Sequence, residues 1–101
     1  MIVFDPDKDA ANIAKHGVSL SRAGDMQMDE ALIEVDDRFD YGEPRWIAYG
    51  ELDERLHVLA FTLRDGSVRA ISLRKANDRE QRYVEDQRRV GSADRALSRR
   101  R

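Results

Sequence analysis

Asp65-Gly66 lies between two runs in which apolar and polar side chains alternate, Arg55-Leu-His-Val-Leu-Ala-Phe-Thr62 and Val68-Arg-Ala-Ile-Ser-Leu-Arg74. An Asp-Gly pair tolerates the positive φ angles of a two-residue turn, so these runs predict a β-hairpin. A chain committed to this hairpin needs further strands or helices to bury its apolar side. Two more segments share the period of two, Ala31–Asp36 and Arg45–Gly50. Between them, Asp37–Pro44 carries turn residues and reads as a loop, and Glu51–Glu54 reads as a polar connection. Strands this close in sequence favour an antiparallel meander.

Helical signals flank the meander. Ile2-Val3-Phe4 is a short apolar start, an edge strand or docked arm. Asp5-Pro6 reads as N-cap and first helical position. Ala10, Ile13, Ala14 and Gly17 follow at helical spacing and predict a narrow apolar stripe, with Lys15 and His16 in the last turn and Gly17 as the stop. Ser19 predicts the cap of a second helix over 19–28, its stripe formed by Leu20, Ala23 and Met26 or Gln27. Asn77 and Glu80 form a capping box that starts a helix running to about Val90, ended by Gly91-Ser92. The expected order is β-α-α-β-β-β-β-α. This is α+β, with two N-terminal helices, a four-stranded mainly antiparallel sheet plus a short N-terminal strand, and a C-terminal helix. The helices are expected on one face, leaving the other face or its rim exposed. Residues 1–90 are expected to form a single domain, and the basic tail 91–101 to be frayed or disordered.

With 101 residues there is room for one core. The absence of Cys excludes disulfide scaffolds and thiolate metal sites. No apolar run approaches the roughly 20 residues that span a bilayer. The first residues lack the basic and apolar regions of a signal peptide, so a cytoplasmic location is expected and no membrane partner. The net charge of −2 hides an asymmetry. Residues 1–54 hold five Lys or Arg and fourteen Asp or Glu, a net of −9, whereas residues 55–101 hold thirteen and six, a net of +7. Such halves suit a polyanionic or acidic partner on one side of the fold.

The basic half is dominated by Arg, whose planar fork makes paired hydrogen bonds to phosphate. Arg55, Arg64, Arg69, Arg74, Lys75, Arg79 and Arg82 fall on the hairpin and the helix after it. By strict alternation Arg69 and Arg74 point to opposite faces unless a bulge intervenes, which puts Arg74 at the end of the buried face. An Arg cluster by itself is more often a solvated surface. His16 and His57 have no partners at metal-ligand spacing, so no metal is expected. Asp5, Asp7 and Asp9 read as first-turn acids. Nucleophile elbows, phosphate-binding loops and dinucleotide fingerprints are absent from the sequence.

Several strings occur together in order: Phe4-Asp-Pro-x-Lys8, Lys15-His-Gly-Val-Ser19, Glu43-x-Arg-Trp-Ile-Ala48 with Gly50, and Arg69-x-Ile-Ser-x-Arg-Lys-Ala76 followed by Glu80 and Tyr83. Over roughly residues 2–86 the chain resembles the BrnT family, the toxin half of bacterial BrnT/BrnA toxin–antitoxin pairs, which has a RelE-like fold. The resemblance implies a toxin that cleaves RNA, inhibits translation and needs no cofactor. It also implies a BrnA-like ribbon-helix-helix antitoxin, with operator DNA bound only through that partner. Matched by position, Lys15, His16, Glu43, Arg45, Arg69, Ser72, Arg74 and Lys75 fall in the family strings, with Arg64 on the preceding hairpin arm. Three positions depart from the pattern: Pro44 stands where a second acid is expected, Arg22 where an acid closes the box from Ser19, and Tyr83 three rather than four residues after Glu80.

For a metal-independent endoribonuclease the RNA 2′-OH is the nucleophile. The protein must supply a base, cationic charge for the phosphorane and an acid for the 5′-oxygen. Arg74, with Arg64 or Arg45, is the candidate for charge stabilisation. His16, His57, Glu43 and Tyr83, in that order, are the acid–base candidates. Lys15, Arg69, Ser72, Lys75, Arg79 and Arg82 are the candidates for binding RNA. The alternative is a module of the same fold that binds a polyanion or partner without catalysis.

Overall fold

The computed structural model describes residues 2–98; of residues 91–98 it describes the backbone only. The chain is α+β, built on one five-stranded sheet. The strands are β1 (Ile2–Val3), β2 (Leu32–Val35), β3 (Trp46–Leu52), β4 (Arg55–Arg64) and β5 (Ser67–Lys75). Their spatial order is β1-β5-β4-β3-β2. The four strands from β2 to β5 form the expected antiparallel meander, and β1 pairs in parallel with β5 at Val68 and Arg69. Asp65 and Gly66 both have positive φ, 53° and 77°, and close the predicted hairpin. The β3–β4 turn has the same form with Asp53 and Glu54, φ 53° and 62°, so the polar connection narrows to two residues.

One α-helix, α1 (Pro6–His16), precedes the meander. Its ends follow the sequence signals: the Asp5 carboxylate accepts the Asp7 N–H at 2.8 Å, and Gly17 stops the helix at φ 74°. Its packing face differs from expectation. Asn12 is buried, whereas Ile13 is 46% exposed and Ala10 and Ala14 are also exposed. The reason is the sheet edge. β1 covers only the first part of β5, and beyond Arg69 α1 takes its place. There the Asn12 amide accepts the Leu73 N–H at 3.1 Å and donates to the Leu73 carbonyl at 2.8 Å, so a side chain replaces a missing strand. It also donates to the Val18 carbonyl at 2.8 Å.

The second predicted helix is instead two short 3₁₀ turns, Leu20–Asp25 and Met28–Glu30. Gly24 weakens an α-helix here, and the turn at Leu20 is held from outside: the Asp9 carboxylate accepts the Leu20 N–H at 2.7 Å and the Ser19 hydroxyl at 2.9 Å. Leu20, Ala23 and Met26 pack on the back face of the sheet against Ala48, Leu52, Leu59, Phe61, Ala70 and Leu73, which forms the core. Gly50 lies beneath them; a Cβ there would stand 3.2 Å from the Met26 methyl and 3.3 Å from the Ala31 Cβ.

The last helix, α2 (Asp78–Ser98), crosses the front face rather than joining the back layer, so the helical elements do not share one side. It also continues past Gly91-Ser92. A lone Gly costs about 1 kcal/mol in a helix, which good helix formers such as Ala93, Ala96 and Leu97 offset. Arg99–Arg101, the end of the expected tail, lie outside the described residues. No described helix is long and apolar enough to cross a membrane.

Candidate RNA-cleaving site

The front face is organised by one irregularity. Ala60 pairs with Ser72 and Phe61 with Ala70, so Ile71 is an extra residue in β5. A bulge of this kind reverses the facing of every later residue in its strand. Arg74 and Ser72 therefore join Arg69 on the front face, whereas strict alternation had placed Arg74 on the buried one. The bulge also turns Leu73 into the core, where it is fully buried.

Arg74 is held by the carboxylate of Glu80. The guanidinium donates from Nη1 to Oε1 at 2.7 Å and from Nη2 to Oε2 at 2.8 Å. The same Glu80 closes the predicted capping box, accepting the Asn77 N–H at 2.9 Å while its own N–H donates to Asn77 Oδ1 at 2.8 Å. The box thus anchors Arg74 as well as starting α2. The Arg74 fork and the Asn77 N–H hold the Glu80 carboxyl below its usual range.

Residues from four further segments face this arginine. His16, at the end of α1, has its pKa lowered by burial and by the charges of Lys15 and Arg74, which favours its neutral form. A groove of about 200 Å³ runs between α1 and β5, lined by Lys8, Asn12, Lys15, His16, Ile71 and Ser72. Tyr49 on β3 stands opposite Val58, which in turn stands opposite Arg74. Burial, then the charges of Glu34 and Glu80, raise the Tyr49 pKa. Tyr83 on α2 tilts over Tyr49, ring centroids 5.9 Å apart, and its hydroxyl donates to Glu34 on β2. That bond pushes the Tyr83 pKa up to about 12, so its phenol stays protonated. Despite its spacing from Glu80, Tyr83 therefore remains on the front face. Arg38 projects its charge onto Arg74, Tyr49 and Glu80 from the loop between β2 and β3. Asp36 anchors that loop. It is buried, pairs with Arg38 at 2.8 Å and accepts the Tyr41 hydroxyl at 3.2 Å, and the Arg38 hydrogen bonds hold its pKa down to about 2.

Lys15, His16, Arg69, Ser72, Arg74 and Tyr83 of the sequence-predicted residues thus share the front face or its rim. Glu43, Arg45 and Arg64 form a second cluster at the far end of the sheet. Glu43 accepts from Arg64 at 2.9 Å, and Arg45 Nε stands 3.9 Å from its other oxygen. The Arg45 guanidinium lies over Tyr41, 3.9 Å from the ring centre, and its buried Nε has no hydrogen-bond partner. Arg64 and Arg74 are six residues apart along β4, counted from the Val58 partner of Arg74, or roughly 20 Å. His57 and Lys75 pair across β4 and β5 on the back face. Arg79 and Arg82 are exposed on α2, and Arg82 lies about 200° around the helix from Glu80. Sequence reading missed Tyr49, Glu34, Arg38 and Glu80 as parts of this face. For Tyr49 a signal existed, since it alternates with Ile47 in a strand; for Glu34 and Arg38 none did, because their partners lie on other segments. Among the described residues no three His, Asp or Glu side chains stand together as a metal-ligand set.

No curated protein matches the chain. A family model described as "Ribonuclease toxin, BrnT, of type II toxin-antitoxin system" matches residues 4–80. That span carries α1, the meander, the Ile71 bulge and the Arg74–Glu80 pair. The ordered motifs that raised the resemblance and the match over most of the chain agree, and the chain belongs to the BrnT family of ribonuclease toxins of type II toxin–antitoxin systems.

Proposed function

We propose that the protein is a metal-independent endoribonuclease whose reaction takes place on the front face around Arg74. The observation that carries this reading is the Ile71 bulge, which brings Arg74 onto the face shared with Arg69 and with Ser72, whose groove His16 also lines. Arg74 neutralises the charge that develops on the phosphorane. His16 accepts the 2′-OH proton, a task its lowered pKa suits. The Tyr83 O–H, drawn away from Glu34 by the substrate, passes its proton to the departing 5′-oxygen. Lys15, Arg69 and Ser72 hold flanking phosphates, with Arg79 at the rim. Arg45 and Arg64, which share the Glu43 carboxylate, extend the cationic track towards the far end of the sheet.

The scaffold is read as a RelE-like variant whose second helix is reduced to 3₁₀ turns. Cleavage inhibits translation in the cytoplasm. A BrnA-like ribbon-helix-helix antitoxin covers the front face and carries the complex to operator DNA.

The test is cleavage of RNA by the purified toxin in excess EDTA. It should continue and leave 2′,3′-cyclic phosphate ends, and Arg74→Ala should abolish it while the circular dichroism spectrum is retained. A strict magnesium requirement refutes the mechanism. Salt-dependent RNA binding without cleavage products supports the non-catalytic module instead.

A further inference from the structure

A second cavity, of about 390 Å³, opens on the back of the sheet, where β3 and β4 turn and β5 ends. It is lined by Gly17, Arg22, Asp53, Arg55, His57 and Lys75 among others. Its volume falls within the range of small-ligand pockets. The front-face mechanism uses none of these side chains.

Their charges do not cancel. Arg22 is paired, donating to Asp53 at 2.8 Å and to Asp25 at 2.9 Å. Arg55 donates one Nη2–H to the Ala76 carbonyl at 3.0 Å, a neutral partner. Lys75 has no ion-pair partner among the described residues. Among the residues that line the cavity, Arg55 and Lys75 are therefore left without an opposite charge. His57 is only 5% exposed, and its Nδ1 lies 2.8 Å from the Arg55 carbonyl. That contact fixes Nδ1 as the donor, because a carbonyl can only accept. Nε2 has no hydrogen-bond partner among the described residues and belongs to a side chain that lines the cavity. A buried imidazole with one committed nitrogen and one open acceptor, beside two cations without ion-pair partners, is suited to an anion that also carries a hydroxyl.

We propose that this back pocket binds a phosphate group, contributed by the RNA strand beyond the scissile site. Lys75 and Arg55 supply the charge, and His57 Nε2 accepts a hydrogen bond from a hydroxyl, that of a protonated phosphate or of the nucleic acid. The choice of RNA as the source rests on the ribonuclease reading; the anion site itself does not. The path is short, because Arg74 and Lys75 are adjacent and face opposite sides of β5, and the Lys15–Val18 turn spans both cavities. A strand leaving the front face over the end of β5 reaches the back pocket directly.

The test uses the full chain carrying Arg74→Ala, ¹⁵N-labelled, titrated separately with inorganic phosphate and with a 2′-O-methyl RNA oligonucleotide that cannot be cleaved. Both titrations should move the amide signals of Gly17, Asp53, His57 and Lys75. Adding Lys75→Glu, an exposed substitution that leaves the fold intact, should weaken the phosphate response about tenfold or more. The inference is overturned if neither titration moves these signals, or if the response survives Lys75→Glu unchanged. Movement with phosphate but not with the oligonucleotide overturns the RNA source and leaves a site for a free phosphate ester. Because Arg74 is already removed, loss of cleavage cannot be confused with any of these results.

Discussion

Replacing Glu80 separates interactions that converge on one carboxylate. Glu80→Gln keeps an oxygen for the Asn77 N–H and so retains the capping box, but it removes the charge facing Arg74. Glu80→Ala removes both. The Arg74 side chain is 37% exposed and that of Glu80 18%, so solvent screening holds even this two-pronged pair to about 1 kcal/mol. The capping bond is worth about 1 kcal/mol more. For a domain near this size each kcal/mol moves the melting temperature by about 5 °C. Glu80→Gln should therefore melt about 5 °C below the wild type, and Glu80→Ala about 10 °C below. The pH dependence supplies the control. The folded Glu80 pKa lies below its unfolded value, so its stabilisation is fully present above the unfolded pKa and fades as pH falls through the folded one. Melting followed by circular dichroism at pH 7 and again near pH ~3 should show the gap between wild type and Glu80→Gln closing. A gap that stays constant across that range, or Glu80→Ala melting no lower than Glu80→Gln, refutes the reasoning. At neutral pH both variants should also cleave RNA about tenfold more slowly, since Arg74 loses its orientation while its charge remains.

Asn12→Ala leaves the Leu73 N–H and carbonyl without partners at a buried sheet edge. It should cost about 2–4 kcal/mol in a urea melt, more than expected for a polar residue on a helix. Glu54 adopts φ 62°, a conformation that costs a non-glycine residue about 1 kcal/mol or more; Glu54→Gly should raise stability by up to that amount in the same assay. Asp36 should titrate near pH 2 by carboxyl NMR, its chemical-shift midpoint well below those of exposed aspartates, and Arg38→Ala should move that midpoint upward. Spectrophotometric titration should find the Tyr83 phenol ionising near pH 12, falling towards 10 in Glu34→Gln.

The meander was legible because its signals are local. Alternation and the Asp65-Gly66 turn depend on neighbours in the chain, and the structure keeps all four strands within about two residues of the predicted limits. The caps of α1 and α2 were legible for the same reason. The inner face of α1 was not. Its apolar spacing pointed to Ala10, Ile13 and Ala14, but the neighbouring surface is the open edge of β5, which demands hydrogen bonds rather than hydrocarbon. The second helix failed because the Asp9 carboxylate, ten residues away, fastens the 3₁₀ turn at its first residues. In the candidate site, Lys15, His16, Ser72 and Arg74 were legible from motif strings, whereas Tyr49, Glu34 and Arg38 enter only through contacts between strands, loop and α2.

By itself the sequence determined the four strands of the meander, the hairpin, the first and last α-helices with their N-terminal caps, and the membership of a ribonuclease toxin family, since periodicity, turn chemistry and ordered motifs are written along the chain. The tertiary structure decided which residues meet. One unpaired residue, Ile71, reverses the facing of everything after it in β5, and so places Arg74 on the front face and Lys75 behind it. No alternation pattern reveals such a bulge, because it arises from pairing with β4 and from the core's need for Leu73, both set by residues distant in the chain.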